Sequence, residues 1–98
     1  MATREIHYRP MPPEIRKLFD DTVARFGLDP DQALRRPWRS RHPQTLAAMD
    51  AAAAEIYLHG VVNGRRVTLD RMGEWLGRER STIHAAINRH RERSRAQA

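Results

Sequence analysis

A chain of 98 residues has room for one domain and one modest core, and the absence of cysteine excludes disulfides and thiolate metal sites and points to a reducing cytoplasm. The net charge of +6 rests on 17 arginines and one lysine against 12 acidic residues; it points to a polyanionic partner, since the guanidinium fork suits phosphates and guanine edges. No N-terminal signal sequence is expected, and the longest nearly apolar stretch, residues 46–56, is broken by Asp50 and Glu55 and is too short for a bilayer.

Residues 1–12 carry Pro10 and Pro12 with little periodicity and are expected to be a flexible arm. Pro13 opens a helix at a position where its missing N–H does no harm. Ile15, Leu18, Phe19, Thr22, Val23 and Phe26 follow at spacings of three and four, and Gly27 closes the stripe. Asp29 followed by Pro30 is a second start signal, an N-cap before a first-turn proline. That helix is short, because Arg35, Arg36, Arg39 and Arg41 crowd around Pro37 and Trp38 with no apolar period, forming a basic loop.

Pro43 opens the longest helix, to about His59, with Leu46, Met49, Ala53, Ile56 and Tyr57 inward and alanines that allow close approach of neighbouring helices. Gly60 and Asn63-Gly64 end it. Val61, Val62 and Val67 flank the Asn-Gly pair too briefly to be assigned as strands. Thr68 caps a short helix with Leu69, Met72, Trp75 and Leu76 on one side, and Gly77 stops it. A last helix runs from about Arg80 to Arg93 with Ile83, Ala86, Ile87 and His90 inward, and residues 94–98 are expected to fray. The expected fold is all-α, about five helices in one domain over residues 13–93.

Charge gathers at the C-terminal end. Residues 1–64 hold nine basic and eight acidic residues, a balance of +1, whereas residues 65–98 hold nine against four, a balance of +5. Two short helices joined by a glycine turn, the second with a narrow apolar stripe, follow the helix-turn-helix plan for binding double-stranded DNA. At about 100° per residue, the inward stripe turns Ser81, Ala85 and Asn88 outward, with Thr82, His84 and Arg89 beside them. Serine, threonine and asparagine bond base edges or phosphates, and Ala85 leaves room for a base. Thr68, Arg78 and Arg80 border the same unit.

Three segments strengthen this reading: Phe26-Gly27-Leu28-Asp29 through Leu34-Arg35-Arg36, then Arg41-His42-Pro43-Gln44, then Gly77-Arg78-Glu79-Arg80-Ser81-Thr82-Ile83. In this order they resemble the C-terminal DNA-binding domain of the bacterial replication initiator DnaA, across residues 15–93. The resemblance implies that Arg78 meets phosphate and that Ser81 and Thr82 lie in the major groove. It also implies that an arginine of the basic loop, from Arg35, Arg36, Arg39 and Arg41 with Arg36 and Arg39 favoured, enters the adjacent minor groove. It further implies a monomer on its site, in the cytoplasm and associated with the nucleoid. The function implied is transcriptional control, of phage-like or gene-transfer functions by family habit, through promoter occupancy or contact with RNA polymerase or another regulator. Arg80, Glu79 and His84 depart from the family's histidine, aspartate and apolar residue. No Gly-x-x-x-x-Gly-Lys-Ser/Thr occurs, so an ATP-driven initiator is excluded for this chain.

His84 and His90 are six residues apart, about 240° around a helix, so they do not share a face, and no metal or cofactor is expected. No Ser/His/Asp arrangement or carboxylate pair stands out, so no catalytic residues and no enzyme activity are expected. Trp38 is expected to anchor the basic loop to the core, and His42 to cap the long helix or contact DNA. Two alternatives remain: an interaction module docking on the replication or transcription machinery through the outer face of the first helix, and an RNA-binding protein. The second lacks exposed aromatic platforms for single-stranded bases.

Overall fold

The computed structural model describes residues 10–35, 38–39 and 42–97. They form α1 (Pro13–Arg25), α2 (Pro30–Arg35), α3 (Pro43–His59), an antiparallel pair of β1 (Val61–Val62) and β2 (Arg65–Arg66), α4 (Leu69–Leu76) and α5 (Arg80–Gln97). The fold is all-α apart from this one small hairpin. Most of the expected arm, together with Arg36 and Arg41 of the basic loop, lies outside the described residues. Among the described residues no helix is long and apolar enough to cross a membrane.

Local chemistry sets the helix ends. Prolines stand in the first turns of α1 and α3. Asp29 Oδ1 accepts the Asp31 N–H at 3.1 Å at the start of α2. Thr68 Oγ1 accepts the Arg71 N–H at 3.2 Å at the start of α4. Caps of this kind contribute about 1 kcal/mol each. His42 sits at the N-cap position of α3, but its side chain makes no cap bond, which corrects the capping half of the expectation for that residue. Helix α5 continues through residues 94–97, past the end expected near Arg93. Arg93 is tied to α3, and Arg95 in the last turn complements the negative end of the helix dipole.

Helix α3 is the centre of the fold, with α1 and α5 packed against it. Burial on more than one side explains its alanines: Ala48, Ala51, Ala52 and Ala53 are buried beside Met49 and Ile56, and small side chains let the neighbouring helices come close. From α1 come Ile15, Phe19 and Val23; α4 adds Met72, Trp75 and Leu76, and α5 adds Ile83, Ala86 and Ile87. Each large side chain fully removed from water contributes roughly 1.5–3 kcal/mol.

The hairpin corrects the reading that the flanks of Asn63-Gly64 are too short to be strands. Asn63 and Gly64 both adopt left-handed backbone, at φ 51° and 77°, as a type I′ turn requires. The strands pair Val61 with Arg66 and Val62 with Arg65, and the Val67 N–H extends the ladder to the Gly60 carbonyl at 3.2 Å. Propensity over two-residue strands is too weak to signal this. The base of the hairpin instead is fixed by packing: a Cβ at Gly60 would lie 2.4 Å from the Ile56 carbonyl oxygen and 3.1 Å from both Ile15 Cδ1 and Val67 Cγ1.

Candidate nucleic-acid interface

Helices α4 and α5 are joined by Gly77, Arg78 and Glu79. Gly77 takes left-handed backbone at φ 66° and ψ 35°, and the Arg78 N–H returns to the Gly73 carbonyl at 3.0 Å, the bond that closes a Schellman-type helix end. The turn is so close that a Cβ on Gly73 would sit 2.5 Å from the Arg78 carbonyl oxygen. Two glycines therefore serve different ends: Gly77 permits the backbone conformation, and Gly73 permits the approach. The Thr82 and Ile83 N–H groups then donate to the Glu79 carbonyl and start α5.

Seating Ile83, Ala86 and Ile87 in the core leaves Ser81, His84, Ala85 and Asn88 exposed in one stripe at spacings of three and four. Thr82 lies half-buried at its margin. Glu92 stands on the same side of the helix one turn beyond Asn88. The stripe thus carries no carboxylate over two turns, from Ser81 to Asn88. Arg80, exposed at the first position of α5, lies with its Nε 3.8 Å from Asp70 Oδ1, a loose surface pair. Arg78 is half-buried within the turn, and Thr68 spends its hydroxyl on the α4 cap. The structure therefore brings Arg80, Ser81, Thr82, His84, Ala85 and Asn88 onto one helix, with Thr68 and Arg78 at the borders of its partner.

Arg89 has a different use. Asp50, wholly buried on α3, accepts hydrogen bonds from Arg89 Nε and Nη2, both at 2.9 Å, and from Arg93 Nη1 at 2.6 Å. The Asp50 carboxylate holds the Arg89 guanidinium above its ordinary pKa through these bonds, against the lowering effect of burial. Two of the three guanidinium nitrogens of Arg89 are thus engaged by Asp50, which ties the residue to α3 on the flank of α5 while its side chain stays about half exposed. The fourth donor to Asp50 is the Trp38 indole N–H, at 2.7 Å. Trp38 thereby anchors the basic loop to the core as expected, and the bond helps hold its backbone at φ 58°, a left-handed conformation that costs a non-glycine residue about 1–2 kcal/mol. Of the loop arginines that are described, Arg35 ends α2 and Arg39 follows Trp38, and both are exposed.

Sequence reasoning missed Asp50 as a hub. The signal was present: a lone carboxylate inside an apolar stretch, on a helix that has to be buried on more than one side. Among the described residues no group of three or more His, Asp or Glu side chains is placed to hold a metal ion. Compared with known proteins, the chain matches no family model, no curated protein and no solved structure.

Proposed function

We propose that this chain is a sequence-specific double-stranded DNA-binding protein of DnaA-like type, acting in transcriptional control. In this reading α4 and α5 are a helix-turn-helix, and α5 enters the major groove. The observation that carries it is the outer stripe of α5: Ser81, His84, Ala85 and Asn88 exposed together, free of carboxylates for two turns and preceded by Arg80. Small polar groups on a helix held from behind by a second helix are suited to reading base edges. The order of elements supports the same reading, since an opening helix, a short helix, a basic segment and a long helix precede the pair. The Trp38–Asp50–Arg89 connection adds a rigid tie between basic loop and α5, which suits a loop that enters the minor groove beside the helix. The partner is duplex DNA in the nucleoid, met by one copy of the chain, with RNA polymerase or another regulator as the downstream contact.

The outer face of α1 offers less to a protein partner. Its basic side chains are largely paired with neighbours, Arg16 with Asp20 and Asp31 and Lys17 with Asp21. Titrating a labelled duplex at several salt concentrations tests the reading: affinity falls steeply on a log–log plot, by about 0.9 per phosphate neutralised. A flat plot contradicts it.

A further inference from the structure

Beside the proposed reading helix lies a second basic surface, whose arginines are outside the candidate interface and which shares only Thr68 with it. The β1–β2 hairpin and α4 enclose a groove of about 500 Å³. Val62, Val67 and Trp75 contribute its apolar wall, and Arg65, Arg66 and Arg71 its polar one, with no acidic side chain in the lining. All three arginines are exposed. Arg66 Nη2 reaches only the Leu58 carbonyl oxygen, at 3.4 Å, and Arg65 and Arg71 have no carboxylate partner among the described residues. Gathering guanidinium groups around one concavity without a counter-charge is unfavourable in the free protein and is relieved by a bound anion.

The hairpin that presents two of these arginines is held in place at both ends. Its tip is fixed by the type I′ turn and its base by the close packing at Gly60. It gives the core little in return, since Val62 is the only one of its four strand residues that packs there. The pairing of Val62 with Arg65 sets Arg65 on the same face as that valine. Orientation relative to α5 follows from one contact: Asp70, in the first turn of α4 beside the groove residues Thr68 and Arg71, stands within 3.8 Å of Arg80 at the start of α5. A polyanion lying along the outer stripe of α5 therefore passes close to the groove.

We propose that this groove binds backbone phosphates of the duplex that flank the bases met by α5, with the β1–β2 hairpin serving as a basic wing. The proposal rests on the duplex-binding reading and extends it. The ligand chemistry is the phosphodiester, recognised by charge and by guanidinium geometry without base specificity.

The test compares two double variants that lose the same net charge from different faces: Arg65→Gln with Arg71→Gln, and Lys17→Gln with Arg25→Gln on α1. Each is titrated with a labelled random-sequence duplex across a salt series, after circular dichroism confirms the native fold. The groove variant loses about 1.8 from the salt slope, roughly 0.9 for each of two phosphate contacts, and the α1 variant keeps the slope of the parent protein. Equal losses in both variants, or none in either, overturn the proposal. A parallel arm adds inorganic pyrophosphate to the nitrogen-15-labelled protein. If amides of residues 65–71 shift while the groove variant retains the full duplex slope, the groove takes a free phosphate and the wing is refuted. A steep parental slope untouched by the groove variant refutes the wing alone, whereas a parent protein that binds no duplex refutes the function as well.

Discussion

Helices α1 and α5 both pack against α3 and both carry arginines, yet they use them in opposite ways. On α1 the charges close on themselves: Arg16 bonds Asp20 on its own helix and Asp31 on α2, and Lys17 bonds Asp21 one turn on. On α5, Arg89 and Arg93 reach the buried Asp50 and Arg80 makes a loose surface pair with Asp70 on α4, while Arg91 and Arg95 stay exposed with Glu92 as the helix's one carboxylate. The first arrangement neutralises a surface. The second fixes a helix to the core with some of its cations and leaves the rest exposed to solvent. Net charge alone does not separate the two; the placement of acidic residues does.

The Asp50 cluster yields the largest expected effect. Replacing both Arg89 and Arg93 by alanine leaves a carboxylate with no access to solvent and only the Trp38 indole as donor. This loss is expected to cost about 3–5 kcal/mol in urea denaturation. Asp50→Asn is expected to cost less, about 1–2 kcal/mol, because Arg89 and Arg93 are roughly half exposed and turn to water when released. An equal cost for the two changes would mean that Asp50 is not the buried member that matters.

Next comes the turn. Gly73→Ala forces a methyl against the Arg78 carbonyl oxygen, so α4 and α5 have to part; a loss of about 1–3 kcal/mol and weaker duplex binding are expected together. Unchanged duplex binding with reduced stability would separate the turn from the function.

The smallest effect belongs to α1. Lys17→Ala removes an exposed pair one helical turn apart, worth about 0.3–0.5 kcal/mol, and leaves duplex affinity unaltered. A large loss of affinity there would erase the contrast between the two helices.

Much of this was legible in the sequence. Apolar spacing placed α1, α3, α4 and α5, because each buries a stripe with helical period, whereas α2 buries no residue and was marked by its Asp29-Pro30 start signal. The same periodicity separated the inward Ile83, Ala86 and Ile87 from the outward Ser81, Ala85 and Asn88. Three features were not legible. The hairpin rests on a close approach at Gly60 that no local pattern of four strand residues encodes. The tie of Arg89 to Asp50 was hidden because position on a helix says which side a fork leaves from, not which partner it meets. Asp50 meets donors 12, 39 and 43 residues away in the chain, and such a contact is created by topology alone.

Selection from random duplexes asks whether the outer stripe of α5 reads duplex sequence. The parent protein and a Ser81→Ala/Thr82→Ala double variant are carried through the same selection, followed by affinity measurement on the recovered and random duplexes. A defined motif is expected for the parent protein. In the variant the motif is lost or degraded, each lost base contact costs about 1–3 kcal/mol of specific binding, and random-duplex affinity and salt slope stay nearly intact. Recovery of the same motif at the same affinity by the double variant would mean that Ser81 and Thr82 do not read the duplex.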